Sequence, residues 1–331
     1  MGTATGGESD RPARVLAIVG CGFVADLYMR SLRLHPDITI AGAWDRDAAR
    51  LAAFCAHWNV APADSFAALM DRVPPGGLVL NLTNPSAHAA VSGASLAAGH
   101  HVYSEKPLAM TFEEAAALHA QARAAGLQLA TAPCSVLGEA AQTLGRAIRQ
   151  RTAGAPRLVY AELDDGFVPQ APYGGWISES GAPWPAGDEF AVGCTLEHAG
   201  YYLAWLIAFF GPVRRMTAAI AEVIPDKPAD GPAAPDFDET VARLTCSIAA
   251  PHDHRLRVIG DAGVLEVGEA WNNAAAVRYR RRMVIRRRLL EHPVGRRLRL
   301  RGPTHPKVKR QGAAAMNFAL GPVETLDAIA Q

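Results

Sequence analysis

The sequence predicts an α/β fold in two parts: an N-terminal doubly wound parallel sheet, then an α+β domain on a mostly antiparallel sheet. Three observations predict it. The first is Val15-Leu16-Ala17-Ile18-Val19, five apolar residues without alternation, which read as a strand buried on both faces. The second is the alternation of such runs with helically spaced segments as far as Cys134, which implies parallel strands joined by right-handed crossovers. The third is the loss of that alternation beyond Cys134, where strand candidates succeed one another across short or irregular links.

The first strand runs into Gly20-x-Gly22-x-x-Ala25 and then into helically spaced Leu27–Arg33. Gly20 permits a tight turn, Gly22 lets a pyrophosphate approach the backbone, and Ala25 lets helix and strand pack closely. The helix start then offers unpaired N–H groups to phosphate. Gly20, Gly22, Phe23, Val24 and Ala25 are therefore candidate cofactor-binding residues. A second strand, Ile38–Trp44, ends at Asp45, 25 residues after Gly20. A carboxylate there accepts from the adenosine ribose and repels a 2′-phosphate, which favours NAD(H), although Arg46 beside it leaves NADP(H) open.

Helical spacing continues over Ala48–Trp58 and Ser65–Met70, stopped by Pro74-Pro75-Gly76-Gly77. Leu78–Leu82 is the next buried strand, succeeded by Thr83-Asn84-Pro85 and a helix over about 87–98 with Gly99 at its end. His101–Ser104 is a strand with Glu105-Lys106-Pro107 at its carboxyl end. Thr111-x-x-Glu114 is a capping box for a helix to Ala125, and strand Leu127–Ala130 comes next. Ligands of such sheets lie beyond the carboxyl ends of the strands, where Asp45, Thr83, Asn84, Glu105 and Lys106 fall. Farther on come a helix over about 137–151, strand 158–163, a loop over 164–188 rich in Gly, Pro and Trp, and strand candidates 213–223, 240–249, 256–259 and 264–267. The expected division is a loose tail over 1–13, a dinucleotide-binding domain over 14–134 and a substrate and oligomerisation domain over 135–331.

Composition excludes several classes. With 331 residues, 50% hydrophobic and 20% charged, the chain has an ordinary globular make-up. A net charge of +1 argues against whole-molecule polyanion binding. The five cysteines are scattered and form no Cys-x-x-Cys pair, so neither a disulfide framework nor a zinc knuckle is expected and a reducing cytoplasm is. The start has no apolar core of a signal peptide, and Ala199–Phe210 is too short for the about 20 residues of a membrane span.

Three motifs together resemble the Gfo/Idh/MocA oxidoreductases: Gly20-x-Gly22-x-x-Ala25, Thr83-Asn84-Pro85-x-x-His88, and Ala98-Gly99-x-His101-Val102-x-x-Glu105-Lys106-Pro107. The resemblance implies a Rossmann domain and an open-faced sheet domain that forms the oligomer contact. It also implies NAD(H) or NADP(H), a sugar or cyclitol substrate, and a catalytic lysine at Lys106, often before a cis proline bond. The family's second-domain signature, Gly-Gly-x-x-x-Asp-x-Gly-x-His-x-x-Asp, is altered here. Setting Gly193 and Gly200 in register puts His198 at the Asp and Tyr202 at the His, with Trp205 at the last Asp. The alternative pair, Glu197 with Tyr201, keeps a carboxylate but moves the glycine onto Ala199 and breaks the match at Gly193. The glycine register makes Lys106, Tyr202 and His198 the expected catalytic group. Relatives also continue past a helix like Met316–Ala330, whereas this sequence ends at Gln331.

The chemistry is that of oxidising a secondary alcohol, which needs a hydride acceptor and removal of the hydroxyl proton. Lys106 supplies a hydrogen bond and positive field to the carbinol oxygen. His198 and Tyr202, four apart, share a face if the segment is helical. His88 caps or packs near the dinucleotide. His252-x-His254 has no further ligands beside it in sequence, so no metal is expected. Between Arg278 and Arg310 stand 14 Lys/Arg and one acid, Glu291. That arm reads as a solvent-facing or oligomer-facing element, or as a site for phosphate, a nucleotide-sugar (hence a phosphorylated or nucleotide-linked substrate) or an anionic surface. Its thin aromatic content, Tyr279 only, argues against nucleic acid. The competing readings are a dinucleotide-binding regulator without turnover, and an anionic-surface or nucleic-acid binder working through the arm.

Overall fold

The computed structural model describes residues 14–219, 233–237, 240–248, 250–285, 288–302, 304–309 and 315–331. The tail expected over 1–13, Arg286, Arg287 and Arg310 of the basic arm, and residues 220–223 of one strand candidate lie outside them.

The N-terminal unit alternates strand and helix in the expected order: β1 (Arg14–Val19), α1 (Phe23–Leu32), β2 (Ile38–Trp44), α2 (Ala48–Trp58), α3 (Phe66–Met70), β3 (Leu78–Asn81), α4 (His88–Ala97), β4 (His101–Ser104), α5 (Phe112–Ala125) and β5 (Leu129–Thr131). Its five strands lie in the order β2-β1-β3-β4-β5, every pair parallel. Every residue of β3 and β4 is buried, as strands covered on both faces must be. Local chemistry sets the helix ends. Asp47 caps α2 by accepting from Ala49 and Arg50 N–H at 3.0 Å, and Asn59 ends it in a left-handed turn. The Thr111/Glu114 capping box opens α5.

The second unit comprises α6 (Glu139–Arg149), β6 (Pro156–Asp164), α7 (Ala186–Cys194), a π-helical turn over Thr195–Ala199, α8 (Gly200–Phe210), β7 (Arg215–Ala218), β8 (Ala233–Phe237), β9 (Thr240–Ser247), β10 (Leu256–Gly260), β11 (Gly263–Val267), β12 (Val277–Ile285), β13 (Arg288–Glu291) and β14 (Arg296–Leu298). The sheet runs β13-β12-β11-β10-β6-β9-β8-β7, with β14 also on β12. Among the described pairs only β6–β9 is parallel. Burial alternates along β6 and β10, so one face is covered. Leu144 and Ile148 of α6 and Tyr202, Trp205 and Leu206 of α8 pack there on Val159, Ala161, Val258 and Leu265. The basic arm folds as the edge of this sheet, with Arg257 and Arg280 paired to Glu266 and Glu291.

The last helix, α9 (Leu320–Ile329), corrects the expected division at 135. It returns to the N-terminal sheet, where Val323 and Leu326 join the core of Leu16, Ile18 and Leu80. Gly321 lies so close to Tyr103 that an added Cβ would stand 2.2 Å from its ring. Among the described residues no helix is long and apolar enough to cross a membrane.

Candidate active site

The turn after β1 is built for a close approach. Gly20 has φ +95°, and a Cβ there would stand 2.6 Å from the Leu82 carbonyl. Gly22 caps α1 without a side-chain hydrogen bond, and no atom lies within 4 Å of where its Cβ would be. The space over the helix start is thus open, as a pyrophosphate requires. Asp45 stands at the end of β2, its Oδ2 accepting from Cys21 N–H and its Oδ1 from Asp47 N–H, both at 2.8 Å. With Arg46 it lines a shallow recess beside the turn. The residues present therefore fit a dinucleotide: Gly22, Phe23 and Val24 would meet its phosphates and Asp45 its ribose.

From the same turn a cavity of about 650 Å³ opens between the two units, bordered by Thr83, Asn84, Pro85, Lys106, Glu197 and Tyr201 among others. Each Rossmann residue is held from behind. Glu105 is buried and accepts from Tyr28 O–H at 2.6 Å and from Lys106 N–H at 2.9 Å. The Lys106–Pro107 bond is cis. The His88 ring spans the carbonyls of Pro107 and Thr83, at 2.6 and 2.8 Å, so it ties the lysine turn to the end of β3. Burial pulls the His88 pKa down. Asn84 donates to Asp188 at the start of α7.

Across the cavity the structure places the second-domain signature differently from the glycine register. Lys106 Nζ is ion-paired with Glu197 Oε1. Glu197 is 5% exposed, and its Oε2 has no partner. Tyr201 lines the cavity with it, whereas Tyr202 is fully buried among core side chains, its hydroxyl also without a partner. The placement of Tyr202 at the cavity is thus overturned. The physical reason is that the segment is not one α-helix. Gly193 takes φ +78° and ψ 157°, and Thr195–Ala199 then winds as a π-turn, which adds a residue to the turn and rotates the residues beyond it. With Glu197 at the acid position, Gly193 moves from the first glycine of the signature to the second, Val192 stands at the first, and Tyr201 falls on its histidine. Gly200 alone loses its counterpart.

His198 does border the cavity. Its Nε2 lies 3.2 Å from Asp165 Oδ2, and its ring stacks on Trp271. Burial lowers its pKa, but the bond to Asp165 and the neighbouring Cys194 outweigh that and bring it to about 9. Burial, then Glu105, push the Tyr201 phenol well up, so it donates a proton-bearing O–H and is no base. The loop after β6 closes the cavity with Trp176 and Trp184, rings 5.1 Å apart, next to Phe190. That loop is anchored on the cofactor helix. Asp26 of α1 accepts from Ser180 N–H at 2.7 Å and from Trp58 Nε1 at 2.6 Å, and Arg30 of α1 pairs with Glu179. Sequence reading missed Asp165, Asp188 and this aromatic wall, because only the folded chain brings them to the strand ends.

Residues 14–132 match the Gfo/Idh/MocA family, described as an oxidoreductase family with an NAD-binding Rossmann fold. Over that stretch, its first unit, the chain is similar to the family's NAD-binding domain. A similar curated protein, the dTDP-3,4-didehydro-2,6-dideoxy-alpha-D-glucose 3-reductase of Streptomyces antibioticus, is 32% identical over 154 residues, 45% of this chain and 46% of its own. Two solved structures share the whole architecture. The UDP-N-acetylglucosamine 3-dehydrogenase of Acidithiobacillus ferrooxidans superposes with TM-score 0.69 at 21% identity, over 96% of this chain and 88% of that one. A 3-ketoreductase from Actinomadura kijaniata, in complex with TDP-benzene and NADP, gives 0.72 at 18% identity, over 96% and 90%. The chain spans about half the length of the curated relatives it matches, and the two structural likenesses establish the fold.

Proposed function

We propose that this chain is a Gfo/Idh/MocA enzyme, an NAD(H)-dependent oxidoreductase that interconverts a hydroxyl and a keto group on a sugar carried by a nucleotide. The observation that carries the reading is the Lys106–Glu197 pair on the wall of the cavity that begins at Gly22, in which the second Glu197 oxygen has no hydrogen-bond partner. The dinucleotide, when bound, supplies the hydride exchange. The chain supplies the rest. Lys106 holds the carbinol oxygen and stabilises its developing negative charge. Glu197 Oε2 receives the hydroxyl proton on oxidation and returns it on reduction. Tyr201 donates a hydrogen bond that orients the same oxygen, and His198 lines the substrate side. The nucleotide part of the reading rests on the relatives, three of which are named for or hold a nucleotide-linked ligand, and on the Trp176–Trp184 wall, which offers ring faces to a base or sugar. A homo-oligomer through the sheet edge belongs to the same proposal, since Val284 and Val294 are 71% exposed and Leu289 58%. So does a cytoplasmic location, where five buried free thiols persist.

The test is absorbance of the reduced nicotinamide with purified chain, NAD(H) or NADP(H), and panels of UDP-sugars, dTDP-sugars and free sugars. Turnover of a nucleotide sugar, lost in Lys106→Met, is the expected result. Dinucleotide binding without turnover of any panel member would favour the regulator reading instead.

A further inference from the structure

The proposed reaction uses none of His252, His254 and Glu269, yet the fold assembles them with Asp165 at one place. An antiparallel bridge between Asp164 and Asp253 sets Asp165 beside the two histidines, which, two apart on extended backbone, share a face. A carboxylate oxygen of Asp165 and one imidazole nitrogen each of His252 and His254 lie within 4.8 Å of one another. His254 is 1% exposed. Its Nδ1 lies 3.0 Å from Glu269 Oε1. An ionised carboxylate only accepts, so Nδ1 bears a proton, and in the neutral ring Nε2 is the atom with the lone pair. That lone pair faces Asp165 Oδ1 at 3.7 Å, too long for a hydrogen bond, and has no other partner. Two electron-rich atoms across a buried gap repel unless positive charge lies between them. A spacing of 3.7 Å suits two ligands that each stand about 2.0–2.2 Å from one ion.

We infer that Asp165, His252 and His254 form a binding site for one divalent transition cation. Two imidazoles and one carboxylate suit Zn²⁺ or Co²⁺ better than Mg²⁺ or Ca²⁺, which prefer oxygen throughout. Glu269 is the outer partner of both rings, with Oε2 also 2.9 Å from His252 Nε2, and so fixes their tautomers. The half-exposed His252 gives the ion a path from solvent. Asp165 Oδ2 bonds His198 on the cavity wall, so a cation on Oδ1 would pin the carboxylate that positions His198. In sequence the histidine pair has no third ligand beside it, which is why no metal is expected there. The fold brings the third ligand from the end of β6, 87 positions before His252.

The test is Co²⁺ titration of the untagged full chain after chelator treatment, read by the cobalt d–d absorption, with bound metal per chain measured after desalting. One-to-one binding is expected, competed by Zn²⁺ and not by Mg²⁺. His252→Gln removes an accessible ligand and should weaken Co²⁺ binding roughly tenfold or more with the melting temperature of the metal-free chain unchanged. His254→Gln should do the same if it folds. Absence of a saturable band, or a His252→Gln chain that binds Co²⁺ as tightly as the wild type, would overturn the site. Either result is independent of whether a sugar nucleotide is turned over.

Discussion

At the scale of single residues, adjacent side chains on one segment have opposite fates, and mutation separates them. Lys106→Met and Glu197→Gln should each lower kcat by about 10²–10⁴-fold, the usual loss for a positioned acid–base group, while dinucleotide affinity stays near wild type. Tyr202→Phe should leave kcat unchanged. It removes a buried hydroxyl without a partner, so stability should hold or rise by about 1 kcal/mol in urea unfolding. Loss of activity in Tyr202→Phe with Tyr201→Phe intact would restore the glycine register. The second prediction concerns Asp45. Its two oxygens already hold the Cys21 and Asp47 N–H groups, which fixes a negative charge where a 2′-phosphate would sit. NAD(H) should therefore have the higher kcat/KM, and Asp45→Ser should move the ratio toward NADP(H). Equal efficiency with both cofactors in the wild type would contradict this.

At the scale of elements, Gly193 decides which face of the signature segment meets the cavity. Its φ of +78° with ψ 157° is a region that side chains avoid. Nothing lies within 4 Å of its would-be Cβ, so Gly193→Ala strains the backbone without a clash. A cost of about 1–3 kcal/mol is expected, together with a loss of turnover larger than stability alone explains, because Glu197 swings away from Lys106. A Gly193→Ala enzyme with wild-type kcat would sink the argument. This element also marks where the sequence stops being legible. The Rossmann strands and caps are readable because each is set locally, by apolar runs, by Asp47 and Thr111, and by Gly20. The signature face is not, since a π-turn leaves no periodic trace and helical spacing presumes a continuous helix. The paired Glu197 and Tyr201 are visible as a spacing, but nothing local ranks them above His198 and Tyr202. Asp165 and Asp188 have no local signal at all.

At the scale of the whole molecule, the chain crosses between its two units more than once. Removing residues 320–331 strips Val323 and Leu326 from the Rossmann core and takes away buried Leu320 with them. Three buried aliphatic side chains amount to roughly 5–9 kcal/mol, comparable with the total stability of a domain. Such a truncation should abolish dinucleotide binding and expose the N-terminal unit to protease, while fragments of the antiparallel sheet survive longer. Retained NAD(H) affinity in the truncated chain would show that α9 is dispensable. The other crossing is the loop held by Asp26 and Arg30 on α1. The same helix presents its first turn to the pyrophosphate, so whatever settles that helix also settles the roof under which the sugar must enter. Steady-state kinetics should then be sequential with compulsory order, dinucleotide on first and off last. Product inhibition by the oxidised or reduced dinucleotide should be competitive against its counterpart and noncompetitive against the sugar. Asp26→Asn with Arg30→Ala, which unfasten the loop, should turn the order random, and a random order in the wild type would mean that the fastening carries no kinetic weight.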